Sequence, residues 1–120
     1  MPARSGSLRD QLSLASEITI TVTGRKSGRA ISIPVWFGLE GERVLLLPVQ
    51  GSDTQWYKNV LENPSIRINA GGAEAEFRVV PVTDAKQVSS VVEKFREKYG
   101  AKDVKKYYTK FDVAILTHTR

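Results

Sequence analysis

Two alternating runs on either side of a glycine-bounded basic segment limit most sharply what this chain can fold into. In the first, Ile18, Ile20 and Val22 alternate with Thr19, Thr21 and Thr23. In the second, Ile31, Ile33, Val35 and Phe37 alternate with Ser32, Pro34, Trp36 and Gly38. A period of two rich in β-branched residues is the pattern of half-buried strands, because successive side chains point to opposite faces. The segment between them turns the chain back. Pro34 has no N–H to give to a ladder, so the second strand belongs at a sheet edge or is bulged there.

The turn itself, Thr23-Gly24-Arg25-Lys26-Ser27-Gly28-Arg29, places three cations and a hydroxyl at one spot. Gly24 and Gly28 supply positive φ or close backbone approach, and N–H groups between them are free to face an anion. Arg25, Lys26 and Arg29 add charge and Ser27 a donor, which suits a ligand phosphate or carboxylate. The turn reads equally well as a solvated reversal.

Further along, Glu40-Gly41-Glu42 is a tight turn, and Val44 to Leu47 form a continuous apolar run typical of a strand covered on both faces. Pro48 ends that run, and residues 48–55 form a polar loop. Ser52 or Asp53 is placed to cap a short helix carrying Trp56, Tyr57, Val60 and Leu61, which Asn63-Pro64 terminates. Ile66 and Ile68 mark a strand and Gly71-Gly72 a turn. Ala73, Ala75, Phe77 and Val79 form the inward side of another strand, opposite Glu74, Glu76 and Arg78. Asp84 followed by Gln87 is a capping box for a helix with the stripe Val88, Val91, Val92, Phe95 and Tyr99, stopped by Gly100. A shorter helix from Asp103 to Lys110 carries Val104, Tyr107 and Tyr108, and Asp112 to Leu116 is a last strand. Residues 1–17, anchored by Leu8, Leu12 and Leu14, are a lead or a short helix, and 18–120 form one domain. Six strands joined mostly by tight turns, with few helices, predict an α+β fold in which an antiparallel sheet curls into a small barrel.

Length and composition narrow the function. At 120 residues there is room for one core. Without cysteine there is no disulfide, thiolate nucleophile or thiolate metal site, and the single histidine, His118, stands at the C-terminus. No metal site is therefore expected. No apolar run approaches the roughly 18 residues of a membrane span, and Met1 to Gln11 lack the apolar region of a secretory signal, so a cytoplasmic protein is expected. The net charge of +5 favours anionic partners. The C-terminal lysines are interleaved with Glu93, Glu97 and Asp103 and no nucleic-acid signature appears, so nucleic acid is not the expected partner. With no Ser-His-Asp set and the acids scattered over turns and exposed faces, catalysis by side chains alone is poorly supported, and a cofactor would have to carry the hard step. Trp36, Phe37, Trp56 and Tyr57 flank the basic turn and a second short motif, Gln55-Trp56-Tyr57-Lys58-Asn59. They would suit a ligand with an aromatic ring and a phosphate tail, though helix packing explains such spacing as well.

In order and spacing, these motifs resemble the deazaflavin-dependent nitroreductase family, split β-barrel proteins of the FMN-binding, pyridoxamine-phosphate-oxidase-like group. They are Thr-Gly-Arg-Lys-Ser-Gly at Thr23 to Gly28, Ile33-Pro34-Val35-Trp36-Phe37, the loop Pro48 to Ser52, Trp56-Tyr57-x-Asn59, and Asn63-Pro64. The resemblance covers about Ile18 to Leu116. It implies a six-stranded antiparallel split barrel with flanking helices that binds the deazaflavin coenzyme F420. The phosphate would lie at Arg25, Lys26, Ser27 and Arg29. The ring system would lie against Pro34, Trp36, Pro48, Val49, Gln50, Gly51, Ser52, Trp56 and Tyr57. It further implies hydride transfer from the reduced coenzyme to a nitroaromatic, quinone or activated alkene, with Tyr107 or Tyr108 as the proton-donating or acceptor-binding residue. Gln50 and Ser52 stand where the family often has a lysine, which keeps FMN open as an alternative cofactor. A non-catalytic flavin or deazaflavin carrier is the other alternative. A homodimer is implied as well, since split barrels often pair through their sheets.

Overall fold

The computed structural model describes residues 8–117 apart from Glu42, so the expectations for His118, for residues 1–7 and for the Glu42 side of its turn lie outside the described residues. The strands are β1 (Ile18–Thr23), β2 (Ala30–Val35), β3 (Gly38–Glu40), β4 (Arg43–Leu46), β5 (Ser65–Ala70), β6 (Ala73–Val82) and β7 (Ala114–Thr117). The helices are α1 (Leu8–Leu14), α2 (Gln55–Glu62), α3 (Ala85–Tyr99) and α4 (Ala101–Tyr107). The class is α+β: one antiparallel sheet, curled into a half-barrel and flanked by helices.

The sheet order is β2-β1-β5-β6-β7-β4-β3, and this order alone forces the curl. β2 and β3 are its two outer strands, yet only Trp36 and Phe37 separate them in the chain. Laid flat, seven strands would put those edges roughly 29 Å apart. The chain from Val35 to Gly38 can span at most about 11 Å. The sheet therefore rolls until its edges meet. The bend falls in the ten-residue β6, whose Ala73–Arg78 half pairs with β5 and whose Val79–Val82 half pairs with β7.

Seven strands are present rather than six. The second alternating run continues through Phe37, but β2 ends at Val35, and Gly38–Glu40 pair instead with β4. Pro34 lies on an edge strand as expected, facing Thr19 on its one neighbour. The Val44 to Leu47 run is buried throughout, because Val44 and Leu46 enter the barrel core while Leu45 and Leu47 pack under α3 and α4. In α3, Val88, Val91, Val92 and Phe95 make the buried stripe, and Asp84 accepts the Gln87 N–H at 3.1 Å. Three other boundaries move. The residue preceding α2 is Thr54, not Ser52 or Asp53, because Ser52 and Asp53 belong to a short 3-10 turn. The fourth helix runs Ala101–Tyr107 rather than Asp103–Lys110, with Tyr108 already extended. The last strand is Ala114–Thr117. In α1, Leu12 is buried in the core, whereas Leu14 is 81% exposed and anchors nothing.

The join between the sheet edges is held by the last turn of α3. Tyr99 Oη donates to Ser16 O at 2.7 Å and accepts the Phe37 N–H at 3.1 Å. Lys98 Nζ donates to Phe37 O at 3.1 Å and sits 3.4 Å from the Phe37 ring centroid. Burial pulls the Lys98 amine below its ordinary range. Trp36 stacks flat on Tyr99, centroids 4.2 Å apart.

Candidate functional site

Beside this join lies a cavity of about 470 Å³, walled by Ile33, Pro34, Val35 and Trp36 of the β2 edge, Leu47 and Val49 beyond β4, Thr54 and Trp56 at α2, Tyr107 and Tyr108 at the end of α4, and Glu17. The size falls within the roughly 300–1,000 Å³ typical of small-molecule pockets, and the mix of aromatic walls and few polar groups is also typical. Neighbouring aromatics divide their work. Trp36 and Trp56 line the cavity, whereas Phe37 and Tyr57 turn into the core. Tyr107 meets Trp36 edge-on at 5.5 Å and is 51% exposed, while Tyr108 is 5% exposed and packs against Phe95. Burial pushes the Tyr108 phenol well above its ordinary range, with a further push from Tyr99, so it stays protonated.

Of the residues singled out from the sequence, Pro34, Trp36, Val49, Trp56, Tyr107 and Tyr108 meet in this cavity. Pro48 is buried and does not line the cavity. Tyr57 is 4% exposed, and burial, then the Asp112 charge, push its phenol up. Gln50, Gly51 and Ser52 do not line the cavity but fasten its wall. Ser52 donates to Asp112 through its backbone N–H (3.0 Å) and its hydroxyl (2.6 Å), Lys110 Nζ donates to Asp53 at 3.2 Å, and Thr109 N–H donates to Val49 O at 2.9 Å. The Ser52 hydroxyl holds the Asp112 carboxyl below its usual range against a smaller opposing effect of burial. Hydrogen bonding to Asp53 and then its charge hold Lys110 up. Gly51 has φ +56°, and a Cβ there would fall 2.1 Å from Asp112 Oδ1. Only glycine fits.

The basic turn is more closed than its sequence suggests. Gly24 N–H donates to Arg29 O (2.8 Å), Gly28 N–H to Gly24 O (2.9 Å) and Arg29 N–H to the Ser27 hydroxyl (3.2 Å). Arg25 is tied across the fold to α2. Its backbone N–H and its Nη1 both donate to Asn59 Oδ1 (3.1 and 2.7 Å), and Nη2 donates to Gln55 Oε1 (2.8 Å). Asn59 is buried, so this bonding satisfies a polar group that would otherwise be costly. The basic turn and the Gln55–Asn59 segment are therefore in direct contact. Among the described residues, Lys26 and Arg29 carry no ion pair, and the N–H groups of Lys26 and Ser27 remain open.

Glu17, Ile33, Val35, Leu47 and Thr54 line the cavity without having been singled out, and Tyr99 stacks behind it. The alternation of β2 suggests one wetted face. An edge strand curling over a cavity presents consecutive residues to it. No sequence pattern marks Glu17.

A model of the F420H(2)-dependent quinone reductase family matches residues 3–119. No curated protein matches the chain. Among solved structures, it is similar to an F420-H2 dependent reductase, FDR-A, at TM-score 0.67 and 18% identity, over 86% of this chain and 94% of that one. It is also similar to HutZ, the heme storage protein of Vibrio cholerae, at TM-score 0.69 and 12% identity, over 91% and 84%. A third structure, titled a domain-swapped dimer, aligns at TM-score 0.68 and 18% identity, over 86% and 80%. At these identities the structural likenesses establish the split-barrel fold. The family match spans nearly the whole chain, basic turn and cavity walls included, and on it the chain belongs to the F420H(2)-dependent quinone reductase family.

Proposed function

We propose that this chain is an oxidoreductase that uses reduced coenzyme F420 to reduce a small organic acceptor of the quinone, nitroaromatic or activated-alkene class. The observation that carries the reading is the apolar, aromatic-walled cavity beside an edge strand that starts at a basic turn. Along β2, Arg29 stands about 13 Å from Ile33 at the spacing of extended chain, a separation suited to a ligand with a ring at one end and an anion at the other. The residues fit such a group. Lys26, Ser27 and Arg29 would hold the phosphate, with Arg25 bracing the turn against α2, and Pro34, Trp36, Val49 and Trp56 would hold the ring.

When bound, the reduced deazaflavin supplies a hydride. The side chains orient and desolvate the reacting pair. The acceptor also needs a proton, and Tyr107, which reaches both cavity and solvent, is our candidate to hydrogen-bond it and relay that proton. Tyr108, buried and held protonated, is a fixed donor. A cytoplasmic homodimer completes the reading; the domain-swapped neighbour supports the dimer, and sedimentation would measure it.

Absorption titration tests the proposal. Adding F420 should shift its visible band, and adding a quinone to the reduced complex should restore the oxidised spectrum. Tyr107→Phe should slow that turnover with cofactor affinity retained. A response to FMN alone would move the reading to a flavin reductase, and binding without turnover over a broad acceptor panel would move it to a carrier. No response to either cofactor would sink it.

A further inference from the structure

Glu17 is the one formally charged residue among those lining the cavity. Among the described residues it has no ion pair and no hydrogen bond to neutralise it. Its place is fixed by the chain around it. Ser16 O accepts the Tyr99 hydroxyl at 2.7 Å, and Ile18, the next residue along, is buried at the start of β1. Ile18 pairs with Val35 and Tyr99 stacks on Trp36, so Glu17 stands on the Trp36 side of the cavity. Its charge reaches that cluster. Burial pushes the Tyr99 phenol up, the Phe37 backbone contact pulls it back, and Glu17 pushes it up again.

The sign of this charge runs against the rest of the molecule. The chain carries a net +5, and its basic turn attracts anions. An otherwise apolar cavity with one unpaired carboxylate at its wall does the opposite.

We infer that Glu17 selects acceptors by charge. Acceptors bearing a cationic or hydrogen-bond-donating substituent enter on the Trp36 side, and carboxylated or sulfonated ones are turned away. The inference deepens the reading above and rests on it for the identity of the ligand as an acceptor. Because Glu17 is exposed at the cavity's rim, its effect is that of a unit charge acting at the surface. The expected discrimination between cationic and anionic acceptors is about tenfold at low salt, shrinking as ionic strength rises.

The test uses three naphthoquinones of matched body: neutral, sulfonated and trimethylammonium-bearing. They are compared on the wild-type protein, Glu17→Gln and Glu17→Lys. Two quantities are read, kcat/KM with reduced F420, and quenching of tryptophan emission in the cofactor-free protein. In the wild type the cationic quinone should be favoured over the sulfonated one by about tenfold. In Glu17→Gln that ratio should collapse towards one, and in Glu17→Lys it should invert, with both differences damped by salt. A ratio within about twofold of wild type in both variants, in either readout, overturns the inference. If the wild type reduces none of the three, the oxidoreductase reading fails while the quenching ratio still decides charge selection. Absence of quenching by all three overturns the inference as well.

Discussion

Arg25, marked out by its charge beside a glycine turn, also braces the fold. Its guanidinium and backbone N–H both go to Asn59, and its other nitrogen goes to Gln55. Truncating it removes the guanidinium bonds to Asn59 and Gln55 and leaves the buried Asn59 oxygen only the backbone N–H at position 25, so Arg25→Ala should cost about 1–2 kcal/mol of stability in chemical denaturation. Lys26→Ala with Arg29→Ala should leave the denaturation midpoint nearly unmoved. It should weaken cofactor binding by about 2–4 kcal/mol at low salt and by less at high salt, as measured by titration. Unchanged affinity would make the turn a turn only. The sequence marked both motifs as important because charge, glycine and aromatic residues are visible in it. It could not show that they touch, since a contact between residues 34 positions apart leaves no local pattern. Glu17 was illegible for the same reason.

At the scale of elements, what could be read was whatever has a period. β1, the stripe of α3 and the inward side of β6 follow from spacing of two or of three and four, and the run Val44 to Leu47 foretold a strand covered on both faces. What escaped were ends decided by distant partners. β2 and β3 read as one strand because the alternation continues through Phe37. The break is imposed by Lys98 and Tyr99, which claim the Phe37 backbone groups. The helix after the Pro48 loop starts later than its sequence suggests, because Ser52 bonds Asp112, 60 residues on, instead of capping α2. That tether makes a prediction. Gly51→Ala must relieve both a φ of +56° and the clash with Asp112, so it should destabilise by about 1–3 kcal/mol. It should also lower cofactor affinity by letting the Val49 wall drift, which calorimetry with and without ligand would separate. A fully tolerated alanine would show that the loop is not held.

For the whole molecule, the titrating groups predict a weakness in alkali. The phenols of Tyr57, Tyr99 and Tyr108 are all raised chiefly by burial, and Lys110 is raised by Asp53. A raised group binds its proton more tightly folded than unfolded. Its stabilising share is complete below the unfolded pKa of about 10 and is lost as pH rises above it. Lys98, lowered by burial, works in the other direction but is one group against four. Urea midpoints should therefore hold up to about pH 9.5 and fall steeply beyond. A flat profile to pH 11 would contradict the burial of these phenols. The two-residue join between the sheet edges also sets an order of assembly. The β1–β2 hairpin forms from near neighbours, but closing the roll needs residues 36–37 to find 98–99 and brings a long loop-closure penalty. The cavity, walled in part by Trp36, should then be the last part of the protein to form. In a Trp56→Phe background, Trp36 emission should settle later than the backbone circular dichroism during refolding. Simultaneous traces would refute that order. A chain still emerging from the ribosome, with α3 unmade, would own a hairpin and a basic turn but no place to put a ring.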